Sequence, residues 1–174
     1  MSSRVEQFKR VQISAECFCP NMIILPDNID DIKLNKHIDD FINLGQTIKH
    51  FIIVEPDSIK ILNVSMLEEL LYNLHNASLF LYTVLKNNCF VDCDKTSIIT
   101  MFNKTRNDAF ELFKRKNSDY GDAFAIYGII GIIVRLGDKF ERLSSLSKKK
   151  FESCVEESIS DTIIDIYNYT TMTV

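Results

Sequence analysis

The strongest fold signal in this chain is the run Glu157-Ser-Ile-Ser-Asp-Thr-Ile-Ile-Asp-Ile-Tyr-Asn-Tyr169, in which carboxylates recur at every fourth residue. A step of four residues turns only about 40° around an α-helix, so Glu157, Asp161 and Asp165 form one acidic row. Such a row is more often a solvated face than a metal site. Asp161 and Asp165, however, lie in an apolar run, where a charge is costly to bury unless it is paired. Spacing alone leaves both interpretations open.

A second charged cluster precedes this run, Arg135-Leu-Gly-Asp-Lys-Phe-Glu-Arg142. It has the pattern of an amphipathic helix. Two antiparallel helices that bring Asp138 and Glu141 against the acidic row would create an oxygen-rich site. Mg²⁺ prefers such ligands and is usually held by a few carboxylates together with substrate phosphates.

Length and composition favour an ordinary globular protein. The chain has 174 residues, enough for one domain or one domain with a modest extension. Hydrophobic residues make up 46% and charged residues 25%, as in typical folded domains. The net charge of −4 does not indicate a generally basic nucleic-acid-binding surface.

The cysteines and the apolar runs indicate the compartment. The five cysteines are odd in number, follow no secretory signal and lack the usual zinc spacing. Arg135 interrupts the longest apolar run before it reaches the roughly 18 residues of a membrane span. We therefore expect free thiols in a cytoplasmic protein without a membrane segment.

Residues 1–64 are predicted to form a mixed α/β extension whose role the sequence does not indicate. Alternation of apolar and polar residues favours a strand over Val11–Phe18. Helical spacing over Ile32–Leu44 predicts a helix that ends at Gly45. The segments 50–54 and 59–62 predict two strands around a turn.

Residues 65–174 are predicted to form a bundle of four helices joined by short polar loops, so the fold is mainly α. Ser65 and Glu68 predict a capping box at the start of the first helix, which runs to about Asn87. Further helices are predicted at 96–116, 124–146 and 151–173, with a turn at 117–121.

Several residues within these helices have two interpretations. The residues expected to face inward on the second helix are Ile98, Ile99, Phe102, Phe110 and Phe113. Asp108 and Glu111 are interpreted as surface charges. The alternative for Glu111 is a position near the acidic row. Gly128, Gly131 and Gly137 indicate either close helix packing or a kink.

Familiar catalytic motifs are missing from the sequence. There is no glycine-rich phosphate loop, no nucleophile elbow, and no histidine near the acidic helices. Catalysis would then depend on carboxylates, a metal and basic groups, a set that suits hydrolytic attack on a phosphate.

The two charged clusters, together with Lys116-Asn-Ser-Asp-Tyr-Gly-Asp122, resemble the phage nucleotide-modification-associated domain over roughly residues 96–174. That domain is similar to the MazG-like all-α nucleoside triphosphate pyrophosphohydrolases. The resemblance implies a four-helix core that holds Mg²⁺, with Mn²⁺ as a substitute. It also implies a homodimer or higher homo-oligomer that splits a nucleoside triphosphate into a monophosphate and pyrophosphate.

The resemblance assigns roles by position. The implied metal ligands are Asp138, Glu157, Asp161 and Asp165, and the implied catalytic residues are Asp138 and Glu141. The implied substrate contacts are Asp119, Tyr120, Asp122, Arg135, Lys139 and Arg142. No direct nucleic-acid binding is expected.

The sequence departs from the MazG pattern in two places. Asp138 and Glu141 replace paired glutamates on the first acidic helix, and Ser158 stands where a second glutamate is common. These departures favour an alternative, a nucleotide-binding or protein-interaction module without efficient turnover. A third possibility is a purely structural helical protein with solvated acidic faces.

Overall fold

A computed structural model describes residues 4–18, 31–55, 58–87, 95–120, 126–148 and 155–173. Within these residues the chain is mainly helical, with one small sheet. The helices are α1 (Arg4–Phe18), α2 (Asp31–Gln46), α3 (Val64–Asn87), α4 (Lys95–Tyr120), α5 (Gly128–Lys148) and α6 (Val155–Thr171). A 3-10 turn (Thr47–Phe51) follows α2 and leads into strands β1 (Ile52–Glu55) and β2 (Ser58–Ile61).

The strand predicted at Val11–Phe18 is wrong, because these residues belong to α1. Phe8 and Gln12 are both buried and stand four residues apart, so they share one face of a helix. The Phe8 ring stacks on Phe113 of α4 with a centroid distance of 4.0 Å. This tertiary contact decides the conformation where a short alternating pattern favours a strand.

The other elements predicted for the first 64 residues, one helix and a pair of strands, are present, but β1 begins two residues later and β2 one residue earlier than predicted. β1 and β2 pair antiparallel, with Ile52 opposite Ile61. The predicted helix is α2, which continues one residue beyond Gly45. Gly45 lies directly against the Phe140 ring, where any Cβ would collide. The glycine therefore lets α2 approach α5 closely.

Three predicted helix boundaries are wrong. Asn63, not Ser65, caps α3, since its Oδ1 accepts a hydrogen bond from the Met66 backbone N–H at 3.3 Å. The predicted turn at 117–121 is helical through Tyr120, where packing outweighs the weak helix propensity of Asn and Ser. α5 begins at Gly128 after a turn at 126–127, and Gly128 takes a positive φ of 56°.

The core lies where α3, α5 and α6 pack together, with α2 against α5. Its fully buried members include Leu74, Leu136, Phe140, Leu143 and Ile163. Ile99 was predicted to face inward but is half exposed. Close helix packing at Gly137 finds no support, because no atom of a neighbouring element lies within 4 Å of the position that its Cβ would occupy.

The predicted division at residue 64 stays a prediction. Ile38, Phe41, Ile42 and Ile48 from the first part pack in the same hydrophobic cluster as α3, α5 and α6. The five cysteines lie outside the residues whose side chains are described. None of the helices in the described ranges has the length and apolar character needed to cross a membrane.

Candidate functional site

Helix α6 lines two cavities of about 490 Å³ each, and they have no lining residue in common. The first, called the basic pocket, lies among α4, α5 and α6. Its lining residues are Phe113, Lys116, Asn117, Tyr127, Gly131, Ile132, Arg135, Lys139, Asp165, Asn168, Tyr169 and Met172. The second, called the acidic pocket, lies among α3, α4 and α6 and includes Asp108, Glu111 and Asp161.

Asp165 supplies the carboxylate of the basic pocket, and two lysines contact it. Its Oδ2 accepts a hydrogen bond from Lys139 Nζ at 2.7 Å, and its Oδ1 accepts one from Lys116 Nζ. The Asp165 side chain is only 13% exposed, so two ammonium partners compensate for the loss of water around its charge. Three helices thus meet at one carboxylate: α6 supplies Asp165, α5 supplies Lys139 and α4 supplies Lys116.

Arg135 adds a third cation to this pocket. Its Nη1 lies 3.7 Å from Asp138 Oδ2, but both side chains are about two-thirds exposed. An ion pair this exposed contributes little to stability. The pocket lining therefore carries three cations and the one carboxylate of Asp165, an excess of positive charge that attracts anionic ligands.

Aromatic side chains form much of the remaining wall. Phe113 is held in place by its stacking on Phe8 of α1. Burial raises the pKa of Tyr169, and the nearby carboxylate of Asp165 raises it further, against the opposing effect of Lys116 and Arg135. The Tyr169 phenol is therefore neutral at pH 7. A concave site with apolar walls and a few placed charges is typical of small-molecule binding.

The acidic pocket has a different composition. Asp161 of α6 faces it together with Asp108 and Glu111 of α4, and Lys86, Lys104 and Arg115 also line it. Glu111 thus shares a pocket with Asp161, as its alternative interpretation expected. Burial raises the pKa of Tyr82 in this pocket, and Asp108 and Asp161 raise it further.

The predicted metal ligands are not brought together among the side chains that the structure describes. Asp161 and Asp165 line different pockets, and Asp138 is exposed beside Arg135. In this part of the molecule no three His, Cys, Asp or Glu side chains gather closely enough to hold a metal ion. Glu157 lies in α6, but its side chain is outside the described residues.

The three predicted ligands whose side chains are described, Asp138, Asp161 and Asp165, therefore do not by themselves form a metal cage. Mg²⁺ is often held by one or two carboxylates plus the phosphates of a bound nucleotide, and such an ion requires no cage. The predicted metal set stays a prediction.

The structure places the remaining predicted residues as follows. Arg135 and Lys139, predicted as substrate contacts, come together in the basic pocket. Glu141 and Arg142 are exposed on α5 and line neither pocket. Asp119 and Tyr120 lie in the last turn of α4 with side chains outside the described residues, and Asp122 lies outside them altogether.

Sequence reasoning missed a role for Lys116 and for the two asparagines of the basic pocket, Asn117 and Asn168. Lys116 stands at the start of the Lys116–Asp122 cluster, which was the available signal. Its contact with Asp165, 49 residues later, depends on the packing of α4 against α6.

A buried polar cluster supports α6 from within. His75 of α3 is 2% exposed, stacks on Tyr167 with a centroid distance of 4.6 Å and lies 3.3 Å from Thr171 Oγ1. Burial, with a smaller effect of Arg106, lowers the pKa of His75 to about 4. The histidine is neutral at pH 7 and acts as a packing residue of the core.

One family of known proteins matches part of the chain. A family model described as nucleotide modification associated domain 1 matches residues 116–174, about a third of the length. The matched segment holds all four charged residues of the basic pocket, Lys116, Arg135, Lys139 and Asp165. Residues 116–174 are similar to a nucleotide-modification-associated domain. Neither curated proteins nor solved structures give a significant match to the chain.

Proposed function

We propose that the protein is a Mg²⁺-dependent nucleotide pyrophosphohydrolase that converts a ribo- or deoxyribonucleoside triphosphate into a monophosphate and pyrophosphate. Helices α3 to α6 would form a MazG-like four-helix core, and the nucleotide would bind in the basic pocket. The observation that carries this proposal is the cluster of Lys116, Lys139 and Arg135 around Asp165, all within the segment that matches a nucleotide-associated family.

The dimensions and walls of the pocket suit a nucleotide. A volume of about 490 Å³ lies within the usual range for small-molecule sites. Tyr127 and Tyr169 offer aromatic surface to a base, while the three cations offer charge-assisted hydrogen bonds to phosphate oxygens. Lysine and arginine in such positions also stabilise the charge that develops on a leaving pyrophosphate.

Asp165 links phosphate binding to the chemistry. A polyphosphate that takes hydrogen bonds from Lys116 and Lys139 replaces the carboxylate as their partner, and Asp165 is then free to orient a water molecule. Mg²⁺ that enters with the nucleotide would neutralise phosphate charge and lower the pKa of a bound water. The lysines hold the phosphates, and the carboxylate holds the attacking water.

A second candidate is a nucleotide-binding module without turnover. It is favoured by the double pairing of Asp165, because both carboxylate oxygens already accept hydrogen bonds from ammonium groups and are less available to a metal ion or a water molecule. In this case the Asp165–lysine contacts are structural, and nucleotide binding ends without cleavage.

The decisive experiment measures pyrophosphate release from a panel of canonical and modified nucleoside triphosphates, with Mg²⁺ and with EDTA. The panel is run on the native protein and on Asp165→Asn, Asp161→Ala and Asp40→Ala. Asp40 is an exposed aspartate on α2 that lines neither pocket, so its variant is the matched control.

Mg²⁺-dependent release that disappears in Asp165→Asn and persists in Asp40→Ala is the expected result. Loss in Asp161→Ala alone would move the reaction to the acidic pocket and overturn the proposed placement. Nucleotide binding without release, by a folded protein, would favour the binding module.

The proposal includes a homodimer or higher homo-oligomer. Supporting residues are the exposed apolar side chains Ile126 and Tyr127 in the turn before α5 and Ile129 and Val134 in its first two turns, because exposed apolar side chains in one region often mark a protein interface. Light scattering on the active sample tests this point, and an active monomer would remove oligomerisation from the proposal.

A further inference from the structure

Two side-chain amides, those of Asn117 on α4 and Asn168 on α6, lie in the walls of the basic pocket. Asn168 is 5% exposed, and its Nδ2 donates a hydrogen bond to the backbone oxygen of Ala109 at 3.2 Å. A backbone carbonyl can only accept, so this bond fixes which end of the Asn168 amide is the nitrogen. The Oδ1 atom therefore points away from Ala109.

The Oδ1 atoms of Asn117 and Asn168 are both shielded from solvent, and neither accepts a hydrogen bond within the described part of the chain. Buried polar atoms are nearly always paired, so each unpaired acceptor requires an explanation. Here both acceptors belong to residues of one pocket, on two facing helices. A ligand that supplies N–H donors to both would satisfy them together.

The rest of the pocket restricts what that ligand can be. Tyr127 and Tyr169 offer aromatic surface, and Lys116, Lys139 and Arg135 offer positive charge. The complementary molecule is flat and aromatic at one end, anionic at the other, and carries N–H donors on its ring system.

An exocyclic amino group on a nucleobase matches two acceptors particularly well. It presents two N–H donors from one nitrogen atom, one for each asparagine oxygen. A carbonyl oxygen at the same position would face those oxygens with lone pairs, which is repulsive. Amino-bearing and carbonyl-bearing bases should therefore differ in affinity.

We propose that the basic pocket selects nucleotides whose base carries an exocyclic amino group, with Asn117 Oδ1 and Asn168 Oδ1 accepting its two N–H groups. This inference rests on the proposed binding of a nucleotide in that pocket. The hydrogen bond to the Ala109 backbone oxygen fixes the position of the Asn168 side chain, whereas Asn117 is only partly buried near the end of α4. Because both oxygens are shielded from solvent in this structure, the proposal requires the Asn117 side chain to rotate when the base enters.

The test compares two pairs of nucleotides by isothermal titration calorimetry. One pair is the deoxycytidine and deoxyuridine triphosphates, and the other is the deoxyadenosine and deoxyinosine triphosphates. All are used as α,β-methylene analogues, in which carbon replaces the bridging oxygen of the bond to be cleaved. Within each pair the ligands differ at the exocyclic group and the adjacent ring nitrogen.

The amino-bearing member of each pair is expected to bind roughly 10-fold more tightly, the effect of one to two satisfied hydrogen bonds. In Asn117→Leu this preference should fall to about 2-fold or less. Asn107→Leu is the matched control, because Asn107 is an exposed asparagine on the same helix that lines neither pocket. Asn117 is the residue to replace, since a change at Asn168 would also remove its bond to Ala109.

Equal affinities or the opposite preference in either pair would overturn the base selectivity while leaving nucleotide binding intact. An unchanged preference in Asn117→Leu would overturn the role of the two asparagines. Failure of all four analogues to bind a folded protein would overturn the proposed function itself.

Discussion

Asp161 and Asp165 stand one turn apart on the same helix, yet they occupy different chemical environments. Asp165 is nearly buried and holds two lysines in the basic pocket. Asp161 is exposed and faces the acidic pocket beside Asp108 and Glu111. Equal spacing on one helix therefore does not make two carboxylates members of one site. The neighbouring helices decide, because α4 presents Lys116 to Asp165, whereas to the pocket of Asp161 it contributes two carboxylates, Asp108 and Glu111, and two cations, Lys104 and Arg115.

Helix α6 contributes residues to both pockets, and His75 packs against it in the core. Loss of this packing should therefore destabilise α6 and remove the contrast between its paired and its solvated aspartate. The pKa of His75 is lowered to about 4 in the folded protein, against about 6.5 in an unfolded chain. Between these values the unfolded state binds a proton that the folded state does not, so stability is complete above about pH 6.5. It should fall by roughly 3 kcal/mol as the pH decreases to 4.

The measurement is urea unfolding at pH 7.5 and at pH 4 for the native protein and for His75→Phe. The phenylalanine keeps a ring against Tyr167 but cannot titrate, so carboxylate effects cancel when the two proteins are compared. The native protein should lose more stability than the variant by the amount given above. The same pH dependence in both proteins would show that His75 is not the titrating group.

Removal of a cation from the basic pocket should affect nucleotide binding there. Lys139→Met should weaken nucleotide binding by roughly 10- to 100-fold, because a hydrogen bond to a charged group contributes about 1.5–3 kcal/mol. Titration with a fluorescent nucleoside triphosphate measures the affinity.

Arg142→Met is the control for this change. Arg142 lies on the same helix and carries the same charge, but it is exposed and lines neither pocket. Its variant should change the affinity by less than about 2-fold. Equal losses in the two variants would mean that general surface charge, rather than the basic pocket, attracts the nucleotide.

The smallest expected effect is the change in the free energy of unfolding when either aspartate is replaced by asparagine. Asp165→Asn removes the charge that Lys116 and Lys139 share, and it should lower the free energy of unfolding by about 1–2 kcal/mol. This value is at the low end for charged pairs because Lys116 is 46% exposed and therefore well solvated. Asp161→Asn, on the exposed face, should change stability by less than about 0.5 kcal/mol.

Urea unfolding at pH 7.5 measures both variants. Similar stabilities for the two would contradict the contrast between a paired and a solvated carboxylate. A more stable Asp165→Asn variant would indicate that desolvation of the carboxylate outweighs its attraction to the lysines.

Local sequence patterns predicted most of the helices in residues 58–173 of this protein, because amphipathic repeats are local and each helix buries its own apolar stripe. They failed where a distant partner decides the outcome. Phe8 and Gln12 form a helical face only because α4 is present to receive it, and α4 continues through Asn117 because packing outweighs propensity.

The residues of the candidate site also divide into features that local sequence indicates and features that depend on a distant partner. The residue types available to the site could be read directly from the amino-acid sequence, namely the acidic positions of α6 and the basic positions of α5. The family resemblance implied Arg135 and Lys139 as substrate contacts, and both line the basic pocket. Three features depend on how the helices pack: Lys116 reaches Asp165, Asp161 lines another cavity, and two asparagine oxygens are buried without donors. The physical reason is that charge compensation and desolvation depend on distances between helices, which residue spacing within one helix does not contain.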